Sequence, residues 1–204
     1  VAELDTGFFV RWLTAAAAAV EREADTLTEL DSAIGDADHG VNMRRGFTAV
    51  TAALAEKPPA SPGAALGLAG RTLVSKVGGA SGPLYGTLLR RTGRELGDAA
   101  TVSREDLARA LGVGVEAVAA LGGAAEGDKT MLDALLPAVR ALPRSFAAAR
   151  QAASEGAVAT VPMRARRGRA SYLGDRSIGH EDPGAASSLL LVSALEQTAG
   201  RGDG

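Results

Sequence analysis

Apolar residues in this chain recur with the period of an α-helix, and proline or glycine breaks the pattern at short intervals. Phe8, Phe9, Trp12, Leu13, Ala16, Val20, Leu27 and Leu30 fall close to i, i+3, i+4 spacing, which predicts a first helix over about residues 5–28. A second is expected from His39 to Glu56, stopped by Pro58-Pro59, which cannot continue a helix. Ser61-Pro62 is a cap followed by a first-turn proline and opens a third, lasting to about Val77; Ser81-Gly82-Pro83 repeats the device for a fourth, ending near Gly97. Ser103 followed by Glu105 and Asp106 opens a fifth that reaches Leu121. A sixth spans about Thr130 to Ala141 with Pro137 inside it, a seventh Pro143 to about Met163, and an eighth Gly184 to Ala199. No stretch alternates like a strand. Eight helices with short connections, and one longer loop from Arg164 to Pro183, favour antiparallel neighbours. The expectation is a single all-α domain over residues 1–204, an up-and-down bundle.

Composition excludes several classes of function. A net charge of −2 gives no general pull toward nucleic acid or membrane, and 3% aromatic content leaves few platforms for stacking bases. No apolar run approaches the roughly 18 residues of a membrane span. The chain has 0 cysteines, so disulfides and thiolate metal sites are out, and a cytoplasmic location is expected.

The chemistry concentrates in Gly35-Asp36-Ala37-Asp38-His39-Gly40-Val41-Asn42, with Asp31 just upstream. Hard oxygen ligands of this kind suit Mg²⁺, which takes one or two carboxylates, water and a substrate's phosphates. On one continuous helix Asp31 and Asp38 would stand roughly 10 Å apart along the axis, with Asp36 pointing away from both. Three carboxylates can meet only if the backbone curls between them, and Gly35 and Gly40 are expected to allow the curl through positive φ. His39, between Asp38 and Gly40 at a helix start, is a candidate neighbour of a metal or ligand.

Other candidates lie at helix ends. There is no G-x-x-x-x-G-K-[ST] motif, and no strand for a dinucleotide-binding glycine turn to follow. Gly78-Gly79-Ala80-Ser81-Gly82-Pro83 reads either as an anion cradle ahead of a helix or as an ordinary connection with Ser81 as N-cap. Gly122-Gly123 and Gly127-Asp128-Lys129-Thr130-Met131 form a second such turn; Lys129 would meet a phosphate or stay solvated, and Met131 offers an apolar contact to a base. Arg164, Arg166, Arg167 and Arg169 are a solvated face, or a contact for phosphate or an acidic partner. Asp182-Pro183-Gly184 has the form of a capped helix start, and His180 that of a loop-ordering residue. Nothing suggests an activated serine.

Leu30-Asp31, Ile34 to Gly40 and Asn42-Met43 resemble the signature of the nucleotide-binding L subunit (DhaL) family of dihydroxyacetone kinases. Val77 to Leu84, Gly127 to Ala134, Gly168 to Gly174 and Asp182 to Ala185 resemble that family's further blocks, in the same order. The resemblance implies an eight-helix antiparallel barrel with a nucleotide, ADP or ATP, at one end. It implies that Asp31, Asp36 and Asp38 hold two Mg²⁺ ions bridging to the phosphates. Around the nucleotide it puts His39, Gly40, Val41, Asn42, Ala80, Ser81, Gly122, Met131, Arg167, Asp182, Pro183 and Gly184, with Arg166 and Arg169 as rivals of Arg167.

The family resemblance also implies partners. The sugar is held by a separate K subunit, and in phosphotransferase-linked members a phosphohistidine M subunit recharges ADP that stays bound as a coenzyme. The alternatives are an ATP-exchanging kinase subunit and a non-catalytic nucleotide sensor that docks on a regulatory partner. A lone Mg-dependent phosphohydrolase ranks last, for want of a base to activate water.

Overall fold

The computed structural model describes residues 3–201; the outermost residues of the expected 1–204 domain lie outside the described ones. Two short strands, β1 (Leu4–Asp5) and β2 (Thr101–Val102), accompany eight helices: α1 (Thr6–Ile34), α2 (His39–Glu56), α3 (Pro62–Lys76), α4 (Ser81–Leu96), α5 (Arg104–Gly122), α6 (Leu132–Ala141), α7 (Phe146–Ala159) and α8 (Pro183–Gly200). Each helix packs on the next in the chain, and α8 returns to α1, so the helices close a ring. The interior is apolar, with Phe9, Trp12, Leu66, Leu88 and Val115 fully buried. At the closing seam the Trp12 indole N–H donates to the Leu191 carbonyl at 2.9 Å. This is the expected all-α, up-and-down antiparallel barrel.

Several boundaries differ from expectation for physical reasons. α1 continues past residue 28 because Leu27, Asp31 and Ile34 prolong its buried stripe, so Asp31 lies in a helix rather than a loop. α7 is shorter at both ends than expected: Pro143 stays in the preceding turn, and Ser145 caps the helix by accepting from the Ala148 N–H. The long loop is not featureless. Short 3₁₀ turns run from Arg169 to Ser177, broken at Gly174, whose φ of 58° only glycine adopts readily. The β1–β2 pair, Leu4 opposite Val102 and Asp5 opposite Thr101, is too short to show a period in sequence. Pro137 sits inside α6 and cannot donate to the Asp133 carbonyl one turn back. Gly156 of α7 packs against that same carbonyl, so closely that a Cβ there would lie 2.0 Å from the oxygen.

Topology positions the site. In an up-and-down ring, the connections that follow odd-numbered helices all fall at one end. These are residues 35–38, 77–80, 123–131 and 160–182. Residues 57–61, 97–103 and 142–145 connect helices at the opposite, far end, where β1 also joins β2. The first turns of α2, α4, α6 and α8 therefore open at the end that carries the longer loops.

Candidate functional site

Those four connections surround a cavity of about 210 Å³. Its wall includes Asp31, Asp36, Asp38 and His39, then Ala80 and Ser81, then Met131, then Arg167 and Arg169, then Asp182, Pro183 and Gly184. A second, apolar chamber of about 270 Å³ adjoins it and shares Ala80, Leu84, Met131 and Arg167. Gly122 lines this chamber with Val118 and Leu121. Three expected residues stand outside both walls. Gly40 faces α1, where a Cβ would lie 1.9 Å from the Ala24 carbonyl oxygen. Val41 points outward, and Asn42 is buried behind the turn at Gly78.

The chain does curl between the aspartates. One carboxylate oxygen from each of Asp31, Asp36 and Asp38 lies within 4.8 Å of the others. The Oδ2 of Asp31 accepts from the Asp38 and His39 N–H groups at 2.9 and 3.1 Å, so a side chain of α1 caps α2. Positive φ falls on Ala37, at 61°, and not on the glycines expected to provide it. Gly35 is required instead by space, since a Cβ there would sit 2.1 Å from Asp31 Oδ1. An all-oxygen set drawn together in this way fits Mg²⁺, with the buried Asp31 and the exposed Asp36 and Asp38 carboxylates as donors. Arg169 already approaches the cluster, its Nε 3.1 Å from Asp36 Oδ2.

Ser81 is not the N-cap of α4. It is the helix's first residue, Ala80 precedes it, and no side chain caps that turn. The N–H groups of Ser81 and Gly82 are therefore orphaned, and Pro83 has none to offer. The Ser81 hydroxyl pairs with His39 Nδ1 at 3.0 Å, while His39 Nε2 meets the Ser187 hydroxyl at 2.9 Å. Tyr85 O–H lies 2.6 Å from Ser187 and 2.8 Å from Ser188, extending the network into α8. Burial pushes the His39 imidazole below its ordinary value against the opposing pull of Asp31 and Asp38, and lifts the Tyr85 phenol to about 12. Sequence reading missed Tyr85 and Ser187, although Tyr85 stands one helical turn from Ser81 on the same face.

Lys129 corrects both of its expected roles. It is 1% exposed, and its ammonium donates to the carbonyls of Thr160, Met163 and His180. It staples two loops together and is neither solvated nor free for a phosphate. The exposed His180 imidazole takes no part; that residue orders the loop through its carbonyl. Asp133, also missed, accepts from the Gly127 and Thr130 N–H groups at 2.6 and 2.8 Å; its spacing from Thr130 is a capping signal legible in sequence. Asp182 caps α8 by accepting from the Ala185 N–H at 2.8 Å. Burial raises its carboxyl to about 7, with Asp133 adding to the rise and Lys129 opposing it. Of the arginine rivals, Arg167 and Arg169 line the cavity; Arg166 does not. Arg167 Nε donates to the Gly123 carbonyl.

The sequence profile of the family described as the DAK2 domain matches residues 33–197. The ADP-binding subunit DhaL of PEP-dependent dihydroxyacetone kinase 1 from Listeria innocua is 43% identical over 195 residues, covering 95% of this chain and 97% of that protein. The corresponding Escherichia coli subunit is 42% identical over 196 residues, covering 91% and 93%. Among solved structures, the dihydroxyacetone kinase of C. freundii in complex with AMP-PNP and Mg²⁺ superimposes with a TM-score of 0.73 at 28% identity. That match covers 95% of this chain and 33% of the other, so this chain spans about a third of that kinase.

Proposed function

Because the chain belongs to the DAK2 domain family, we propose that it is the Mg–ADP/ATP-binding subunit of a kinase for dihydroxyacetone or a similar short ketose. The observation that carries this reading is the pairing of two unlike chambers. One holds the cluster of Asp31, Asp36 and Asp38, two arginines and an uncapped helix start; the other is apolar. A polyphosphate with its cations suits the first, and a purine base the second.

In this reading Asp31, Asp36 and Asp38 hold Mg²⁺, which when bound neutralises charge on the β- and γ-phosphates. The N–H groups of Ser81 and Gly82 donate to phosphate oxygens, as helix starts readily do. Arg167 and Arg169 stand ready as further donors, and Arg169 must then exchange Asp36 for phosphate. Leu84, Leu121, Gly122 and Met131 enclose the base. His39, Asp182, Pro183 and Gly184 shape the cavity between them, while Gly40, Val41 and Asn42 support it from behind or at its rim. Phosphoryl transfer is largely positioning and charge stabilisation, so this chain needs no general base of its own.

The acceptor hydroxyl would be presented by a separate K subunit covering the cavity mouth. Large apolar residues exposed among the described ones suit such a cover: Val41, Val74, Leu121, Val158, Tyr172 and Ile178 all lie at the cavity end. Residues 1–204 would form one nucleotide-binding domain working in the cytoplasm. Among the described residues, no helix is long and apolar enough to cross a membrane. The phosphoryl donor is read as a phosphohistidine M subunit that recharges bound ADP.

The test is to purify the chain without added nucleotide, denature it, and count the nucleotide and Mg²⁺ released. Near-stoichiometric ADP with about two Mg²⁺ per chain is the expected result. An empty chain that binds ATP reversibly would replace the coenzyme reading with the exchanging form. Failure to bind any nucleotide would overturn the assignment.

A further inference from the structure

We propose that the groove between the outer faces of α3 and α4 is a second anion site, which takes a small molecule bearing two or more phosphate groups. The groove has a volume of about 580 Å³ and shares no residue with the aspartate cavity. Its origin is a seam of glycines. A Cβ on Gly63 would lie 2.2 Å from the Gly97 carbonyl oxygen, and one on Gly93 would lie 2.6 Å from that of Gly63. With the two backbones this close, no large side chain fills the outer channel, and Gly63 and Gly67 form its floor.

The walls carry Arg71, Arg90, Arg91 and Arg94, all exposed. None forms an ion pair with a carboxylate among the described residues. Asp98 is the one acidic residue in the lining. Four guanidinium groups gathered in one channel repel one another. An anion offsets that repulsion, and a guanidinium fork matches phosphate oxygens two at a time. Arg90 and Arg94 are one helical turn apart, about 6 Å along the axis, a span that two or three linked phosphates can bridge.

Two features select a small phosphorylated ligand over an acidic protein segment. The volume lies within the roughly 300–1,000 Å³ of ligand sites. None of the exposed large apolar residues lines the groove, and protein interfaces are built around apolar centres.

Inorganic triphosphate titrated into the ¹⁵N-labelled full chain, in chelator to keep metal from the aspartates, tests the proposal. The amides of Gly63, Gly67, Thr87 and Gly93 are expected to shift saturably with one affinity. That affinity falls at least tenfold in the Arg90→Ala/Arg94→Ala double variant and is unchanged in Asp36→Asn. Both arginines are exposed, and unshifted amides elsewhere in the double variant's spectrum check that it retains the fold. Shifts confined to Gly78–Ser81 and Asp182–Gly184, no shifts at all, or equal affinity in the double variant would each overturn the second site. Binding of a hexaglutamate peptide in place of triphosphate would overturn the phosphate assignment.

Discussion

The two ends of the barrel solve the same problem differently. At the far end every helix begins on a side-chain cap: Asp5 for α1, Ser61 for α3, Ser103 with a reciprocal Asp106 for α5, and Ser145 for α7. At the cavity end only α8 is capped by its own N-cap residue, Asp182. The start of α2 is served by Asp31 from another helix, the turn before α6 by Asp133, and α4 by no side chain. Exposed large apolar residues also gather at the cavity end. The far end completes its own hydrogen bonds, while the other leaves donors and apolar surface for molecules that arrive later. What looks like careless capping is the form a ligand site takes in a helical ring.

The largest expected effect tests whether the cavity end carries function without carrying the fold. Asp36→Asn should lower phosphoryl transfer by about 100-fold or more, read in a coupled assay with a cognate K subunit. Its Tm should stay within about 2 °C, because the partner lost among the described residues is the exposed Arg169. Lys129→Met blurs the contrast, since it strands carbonyls at the cavity end; a loss of about 3 kcal/mol is expected, with a Tm about 6–12 °C lower.

Asp182 adds a pH signature. Its folded carboxyl titrates near 7 against an ordinary 3.8, so the folded state holds the proton longer. Stability from this group is complete below about pH 4 and declines as pH rises toward 7. Asp182→Asn, which keeps an oxygen for the cap, should flatten that decline in denaturant titrations of the nucleotide-free chain. The smallest effects form a matched pair. Ala80→Asp supplies the charge that α4 lacks, and should raise Tm by about 1–3 °C while weakening nucleotide binding about tenfold. Ser103→Ala removes a far-end cap, and should lower Tm by about 2–4 °C with transfer unchanged.

The helices were legible because their apolar stripes and caps are local signals. Ser61-Pro62, Ser103 with Asp106, and Asp182-Pro183 all cap where the sequence suggests. The aspartate curl was legible too, from the impossibility of gathering three carboxylates on a straight helix. Its mechanism was not, because whether Ala37 or a glycine takes positive φ depends on what lies beside each residue. Lys129, Tyr85 and Ser187 were misread or missed for one reason: their partners are 31 to 148 residues away. Polar groups satisfied across such distances carry no local periodicity.

Ring closure has a consequence for synthesis. Neighbouring helices form early from nearby sequence, but the seam between α1 and α8, marked by the Trp12–Leu191 bond, joins residues 179 positions apart. α1 leaves the ribosome before the other helices of the barrel, and the part of its apolar face that includes Trp12 must wait for α8. Until α8 emerges, the nascent chain is an open helical array with an uncovered edge, the kind of surface on which chaperones act.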